Sequence, residues 1–351
     1  MKKFKLFLVV TLVLSMLTAC GSSNKGTETS NEGDTSKQST QNASVTIQIG
    51  YANNPGEPLD LAVNQWKKLI EERSNGNMKV EIFPSSQLGA KNELIDQMLA
   101  GDSVITLADG AFYSDRGVKD FGIVFAPYLF DTWDQCWKLI ESDWYKEQSQ
   151  KLEDQGLKLL TSNWVYGARH TMTTKPVRTV DDLKGMKIRV PDNTIQIKGF
   201  EVLGASPTPM ALGEVYTSLQ QGTIDGLENP LSVLYNGKFY EVAKYLTLDG
   251  HVQNFTTWVA GLDFFNSLSQ EQQKILVETG NEAGLYNNGI QEQVTEDTLK
   301  KLKDEGVEII EVDLSEFQEK AEAFYSLPEI TSQWSEGLHD KIKEAISDTS
   351  N

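Results

Sequence analysis

Four side chains along this chain have the chemistry to hold a small acid, and each stands near the expected end of a strand. Arg189 comes late in the alternating run "GMKIRV", Gly185–Val190, before Pro191 stops any ladder for want of an amide hydrogen. Arg169 follows an expected strand and Gly167, Asn229 precedes Pro230 at the end of "TIDGLENP", and Asp109 ends the apolar run Ser103–Ala108. An arginine presents a planar fork that matches a carboxylate, and an asparagine both donates and accepts. Ligands of open α/β sheets bind beyond the carboxyl ends of the strands, where these residues are expected. Together they describe a cleft that reads an anionic, hydroxylated small molecule. Taken singly, plainer roles are commoner for such residues: a surface pair between Arg189 and Asp192, an exposed strand position for Arg169, and turns at Asn229 and Asp109.

The elements that position these residues follow from period and punctuation. Strands are expected over Val45–Ile49, Met78–Phe83 and Ser103–Ala108, with helices over Leu59–Arg73 and Asn92–Leu99. Residues 131–147 read as one amphipathic helix whose Trp133, Trp137, Ile140 and Trp144 pack into a core rather than around an aromatic ligand. A strand runs from Gly156 towards Trp164, "YGARHTMTTKP" is a second extended run, and a short helical turn over Val180–Lys184 leads to the strand of Arg189. Helices follow over Thr194–Leu203 and Leu212–Gln220, then the strand that ends at Pro230. Glu93–Asp109 is faintly echoed by Glu214–Asn229, which implies two α/β lobes of similar plan, each with a largely parallel sheet. From Asn266 the chain reads as mainly helical, with a capping box at Ser269 and Gln272 and one more strand at "DEGVEIIEVD". This helix-rich segment is expected to cross both lobes. Lobe one then comprises 45–166 and about 255–294, and lobe two 167–254 and about 295–348.

The chain has 351 residues and a formal net charge of −18, which argues against nucleic acid or anionic lipid as a partner of its folded part. Lys2, Lys3 and Lys5 precede an apolar run, Leu6–Leu17, too short to span a membrane. The "LTAC" of Leu17–Cys20 resembles a bacterial lipobox, which makes 1–20 a lipoprotein signal peptide and Cys20 a lipid-attachment site holding the protein at the extracytoplasmic face of the membrane. An ordinary signal peptide with a chance cysteine is the alternative. Residues 21–44 are polar and without apolar period, a disordered tether with a reach of roughly 25–30 Å. With Cys20 lipidated only Cys136 remains, so no internal disulfide or thiolate metal cluster is expected. His170, His251 and His339 are widely spaced, and neither a G-x-S-x-G elbow nor a P-loop occurs. No metal, no cofactor and no enzymatic activity are expected.

The run "GMKIRVPDNTIQIKGFEVLGASPTPMALGEVYTSLQQGTIDGLENPL" resembles the signature region of DctP-family solute-binding proteins of TRAP (tripartite ATP-independent periplasmic) transporters. "FPSSQLG", "APYLF" and "GARHTMTTKPV" extend the similarity over essentially all of the chain after the tether. The resemblance implies a two-lobe periplasmic-binding-protein-like α/β fold with the ligand cleft between the lobes. It also implies an extracytoplasmic receptor that delivers a small organic acid to small and large TRAP membrane subunits. C4-dicarboxylates, uronates and sialic-acid-like compounds are the ligands it brings into view. It maps a carboxylate clamp onto Arg189, Arg169 and Asn229, a contact with the ligand body onto Asp109, and the cleft wall onto Trp164 and Asn254. Lys91 departs from the acidic or small polar residue that relatives carry there. Two other readings are a receptor for an ATP-driven importer, which the "RVP…ENP" pattern disfavours, and an extracellular hydrolase or lyase.

Overall fold

The computed structural model describes residues 44–347. The expected signal peptide with Cys20, and all of the expected tether except its last residue, lie outside the described residues. The first lobe follows the expected alternation: β1 (Val45–Gly50), α1 (Pro58–Arg73), β2 (Met78–Phe83), α2 (Lys91–Leu99) and β3 (Val104–Ala108). β1 lies between β2 and β3 and is parallel to both. α3 (Gly110–Asp115) begins immediately after β3, with Asp109 as its N-cap.

The helix expected over 131–147 is two helices, α4 (Trp133–Glu141) and α5 (Asp143–Asp154). Ser142 divides them. Its backbone is extended, and its hydroxyl donates to Leu139 O at 2.6 Å while accepting from Tyr145 N at 3.2 Å. A serine that can satisfy both helix ends favours the break over a continuous helix. Trp144 is buried, and Trp133, Trp137 and Ile140 pack against the same apolar cluster, as core residues should.

Two strands of 17 residues, β4 (Leu157–Thr173) and β8 (Tyr245–Gly261), run antiparallel through the middle of the molecule. The sheet is therefore mixed rather than largely parallel. The two extended runs expected on either side of Trp164 are one strand, and β8 was not anticipated at all. Between these strands come β5 (Lys187–Val190), α6 (Thr194–Val202), β6 (Ser206–Pro209), α7 (Val215–Gln220), β7 (Gly226–Pro230) and α8 (Leu231–Asn236). The sheet order is β2-β1-β3-β8-β4-β7-β5-β6, and β9 (Glu308–Ile310) pairs with the first residues of β8. The faint echo in the sequence corresponds to a repeated topology. β5 lies between β6 and β7 as β1 lies between β2 and β3. In each case the third strand hands over to a long antiparallel one, β3 to β8 and β7 to β4.

β4 bends at a register shift beside Gly167, whose φ is +128° and whose Cβ, were there one, would sit 2.8 Å from Pro230. Only glycine meets both demands without strain. After α9 (Leu262–Ser267) comes α10 (Gln270–Asp304), 35 residues long and opened by the expected Ser269–Gln272 capping box. Near its start it accepts from Trp66 Nε1 of α1 through Leu276 O at 3.2 Å. Further along, Asn287 and Gln291 donate to the carbonyls of Val165 and Tyr166 on β4. Its last turns place Leu302 in the apolar cluster of Met172, Leu227 and Leu246. The long helix thus crosses both lobes.

Candidate functional site

A cavity of about 420 Å³ lies between the β1–β3 end of the sheet and the β5–β7 end. Arg189 reaches it from β5. Only Lys187 of that strand is exposed; Ile188, Arg189 and Val190 are all buried, and Arg189 itself is 3% exposed. A surface pair with Asp192 is ruled out, because the guanidinium turns inward. Its Nε and Nη2 both donate to Met210 O, at 3.0 and 2.7 Å. No carboxylate among the described residues lies within ion-pair distance of it. Burial pushes its pKa down to about 10, against the pull of Glu228 and with a push from Arg169. It remains a cation at neutral pH, with Nη1 unmatched by any protein acceptor among the described residues.

Arg169 lies within β4, not beyond its end, and is as buried as Arg189. Its fork already grips a carboxylate. Nη2 donates to Glu228 Oε1 at 2.7 Å and Nε to the other oxygen, while Nη1 donates to Asn254 Oδ1 at 3.0 Å. Burial works to lower the Arg169 pKa, and Glu228 more than offsets it. His251 Nε2 stands 3.1 Å from Glu228, and its Nδ1 lies 3.2 Å from Asp249, which takes the Thr171 hydroxyl at 2.6 Å. Against burial, these two carboxylates raise the His251 pKa to about 9; against burial again, Arg169 and His251 hold Glu228 near 2. The result is a continuous buried chain of alternating charge from Asp249 through His251 and Glu228 to Arg169. Sequence reasoning missed Glu228, although it is the first letter of the "ENP" run, and treated His251 only as a metal ligand that failed.

Asn229 and Asn254 both line the cavity. Asn254 is engaged with Arg169 and with Phe255 O, whereas the Asn229 side chain is buried, lines the cavity and makes no hydrogen bond among the described residues. Asp109 faces the same space with Lys91 Nζ at 3.8 Å. Tyr51, Asn53 and Tyr166 supply a floor that sequence reasoning did not find; Asn53 donates to Tyr166 Oη at 3.0 Å and to buried Glu57 at 2.6 Å. For Tyr51 and Asn53 the signal was the polar "YANN" directly after β1, the counterpart of Asp109 after β3; Tyr166 lies within β4. Trp164 is not on the cavity wall. It is fully buried, packs against Trp66 and Trp258, and donates to Gly280 O of α10 at 3.1 Å.

Among the described residues no group of three or more His, Cys, Asp or Glu could hold a metal ion, and no helix is long and apolar enough to cross a membrane. Cys136 is buried, and burial pushes its thiol pKa up, away from reactivity. The cavity presents a buried cation without a paired carboxylate and, among the described residues, no thiol beside a base.

Residues 49–330 match the family described as bacterial extracellular solute-binding protein, family 7, or DctP. The chain belongs to this family. A DctP-family receptor is extracytoplasmic, binds a small organic acid and works with the membrane components of a TRAP transporter, and it is not an enzyme. The hydrolase and ATP-driven-importer readings fall with that assignment. Among curated relatives, the chain is 31% identical to the 2,3-diketo-L-gulonate-binding periplasmic protein YiaO of Escherichia coli, over 76% of this chain and 81% of that one. It is 29% identical to the sialic acid-binding periplasmic protein SiaP of Vibrio cholerae, over 81% and 88% of the two chains. Among solved structures, a TRAP solute-binding protein from Ochrobacterium anthropi with bound L-fuconate is 43% identical, with a TM-score of 0.84 over 87% of this chain and all of that one. Another, from Actinobacillus succinogenes with bound L-galactonate, is 40% identical, with a TM-score of 0.82 over 86% and 99%.

Proposed function

We propose that this DctP-family receptor captures a sugar acid, holding its carboxylate between Arg189 and Asn229, with Arg169 contributing from behind. The observation that carries this reading is Arg189, a buried cation that lines a ligand-sized cavity with no carboxylate among the described residues to pair with. A buried charge of that kind costs several kcal/mol unless it is matched, and a ligand carboxylate matches it in bidentate geometry. Arg169 is already forked onto Glu228, so its part is to add field and hold Asn254 rather than to form a second clamp. The relatives with bound L-fuconate and L-galactonate support a sugar acid over a short dicarboxylate.

The lobe boundaries fit a hinge at Tyr166/Gly167 on β4 and Asn254/Phe255 on β8. Gly167 pairs with Asn254 and Val165 with Phe255, so both crossings fall at one height of the ladder, beside a register shift. Cys20 is the proposed lipid-attachment site, supported by the "LTAC" run and the polar segment after it; Cys20→Ser should release the protein from the membrane fraction.

The test is calorimetric titration of the full chain, purified in detergent, with a panel of sugar acids and dicarboxylates. A narrow set should bind, and Arg189→Ala should abolish that binding. If a neutral sugar binds instead and Arg189→Ala is silent, the reading fails.

A further inference from the structure

The cavity contains a second charged pair for which the carboxylate contact has no use. Lys91 is the first residue of α2 and Asp109 the N-cap of α3, and both side chains line the cavity. Nζ and Oδ2 stand 3.8 Å apart, farther than a direct hydrogen bond. Asp109 Oδ1 is occupied by the Ala111 amide at 3.1 Å, while the Lys91 ammonium lies 4.3 Å from the centre of the Phe112 ring. Only 26% of the Lys91 side chain is exposed, so neither group is freely solvated. Burial pushes the Lys91 pKa down and that of Asp109 up, and each is opposed by its partner's charge. An ammonium offers three donors and no acceptor, and a carboxylate only accepts. Such a gap suits two neighbouring hydroxyls, one oxygen accepting from Lys91 and the other donating its proton to Asp109.

Charge narrows the ligand further. Of the cations that line the cavity, Arg169 has Glu228 beside it and Lys91 has Asp109, which leaves one uncompensated positive charge, at Arg189. The exposed acids Glu93, Asp192 and Glu214 line the same cavity, so a second negative group would enter against them and against Asp109. We propose that Lys91 and Asp109 form a hydroxyl-reading subsite, so that the receptor takes a singly charged polyhydroxy acid, an aldonate, and rejects the aldarate of equal length. The proposal rests on the reading that Arg189 takes the ligand's carboxylate, and it makes Lys91 a specificity-determining residue.

The experiment titrates the full chain with L-galactonate, L-fuconate and gluconate, and with galactarate, glucarate and succinate. At least one aldonate should bind about tenfold or more tightly than its matching diacid, the scale set by forcing an unpaired charge into a buried site. Lys91→Gln should weaken that aldonate by about tenfold, as loss of one charged donor does. Asp109→Asn keeps a helix-capping side chain but removes the opposing charge, and it should narrow or invert the preference over the diacid. Thermal unfolding without acid checks that both variants fold. The inference is overturned if no aldonate binds, if a diacid binds as tightly as any aldonate, or if Lys91→Gln leaves aldonate affinity unchanged. In each case the Arg189→Ala titration decides separately whether a carboxylate is held there at all, because dicarboxylate binding that Arg189→Ala abolishes leaves the wider reading standing.

Discussion

Replacing Arg189 with alanine removes the one cavity cation with no carboxylate beside it among the described residues. Truncating one member of a buried, hydrogen-bonded charge pair costs about 2–5 kcal/mol of binding, a loss of about 30- to 4,000-fold in affinity. The upper part of that range is expected here, because Arg189 is 3% exposed and the abandoned ligand carboxylate would be left without water. Arg189→Lys keeps the charge but not the fork. Nε and Nη2 now hold Met210 O while Nη1 stays available, and one ammonium cannot serve both in that geometry. A loss of about 10- to 100-fold is expected for lysine. Folding without acid should respond differently. Alanine leaves Met210 O short of its donors, worth about 1–3 kcal/mol, and relieves a buried unpaired cation of comparable cost. The melting temperature without acid should therefore stay within about 3 °C of the parent. Calorimetry gives the affinities and differential scanning fluorimetry the folding control. Affinity that falls less than about threefold in Arg189→Ala would refute the reasoning, since a buried ion contact cannot be lost so cheaply.

Three further outcomes follow from the same structure. Glu228 is held near pH 2, so its contribution to stability is complete above its ordinary carboxylate range near 4.5 and is lost as pH falls towards 2; His251 is raised to about 9, so its contribution is complete below 6.5 and is lost as pH rises through 9. Denaturant midpoints measured against pH should show a plateau between those limits, and His251→Gln should flatten the alkaline fall. Trp164→Ala should cost about 3–5 kcal/mol of folding stability, read by urea titration, because it opens the Trp66–Trp258 cluster and removes the indole hydrogen bond to Gly280 O, while acid affinity of the folded fraction stays near the parent value. Gly167→Ala should destabilise by about 1–3 kcal/mol, since its φ of +128° and a Cβ 2.8 Å from Pro230 both oppose a side chain; an unchanged urea midpoint would contradict that backbone account.

The parts legible in the sequence were those in which one face of an element is buried and the other wet. β1, β2, α1 and α2 keep their expected places because Ile47, Val80, Trp66 and Ile95 recur at the period of their element. β8 was invisible for the opposite reason. Thr247, Asp249, His251, Asn254, Thr256 and Thr257 are all buried in it, so polar residues occupy the positions that normally announce a strand. The same inversion hid Glu228 and made Arg189 resemble a surface residue. Strand-end logic located Asp109, Arg189 and Asn229 around the cavity but misplaced Arg169, which sits inside a strand; Trp164, which the residues alone favour as core, was put on the cleft wall only by the family resemblance. Where function puts charge in the core, periodicity reads core as surface. The remedy is motif, which placed three of those residues on one cleft.

The distribution of contacts around the cavity carries one more consequence. Arg189 and Asn229 belong to β5 and β7, whereas Asp109 and Lys91 stand at the end of β3 and the start of α2. The long strands β4 and β8 and the helix α10 run between the two groups, and hydrogen bonds from Asn92 to Asp192 and from Thr194 N to Asp115 bridge the two sides directly. An equilibrium between arrangements of the lobes is biased only by a ligand whose contacts differ between them. A short acid that touches Arg189 alone makes the same contact whatever the separation of the lobes and cannot favour the closed arrangement. A polyhydroxy acid long enough to reach Asp109 makes its second set of contacts only when the lobes are close. Small-angle scattering should therefore show a smaller radius of gyration with saturating aldonate than with saturating acetate, with both ligands dependent on Arg189. Equal compaction by the two acids would mean that neutralising Arg189 is itself the closing step, and the contacts at Asp109 would then have no part in it.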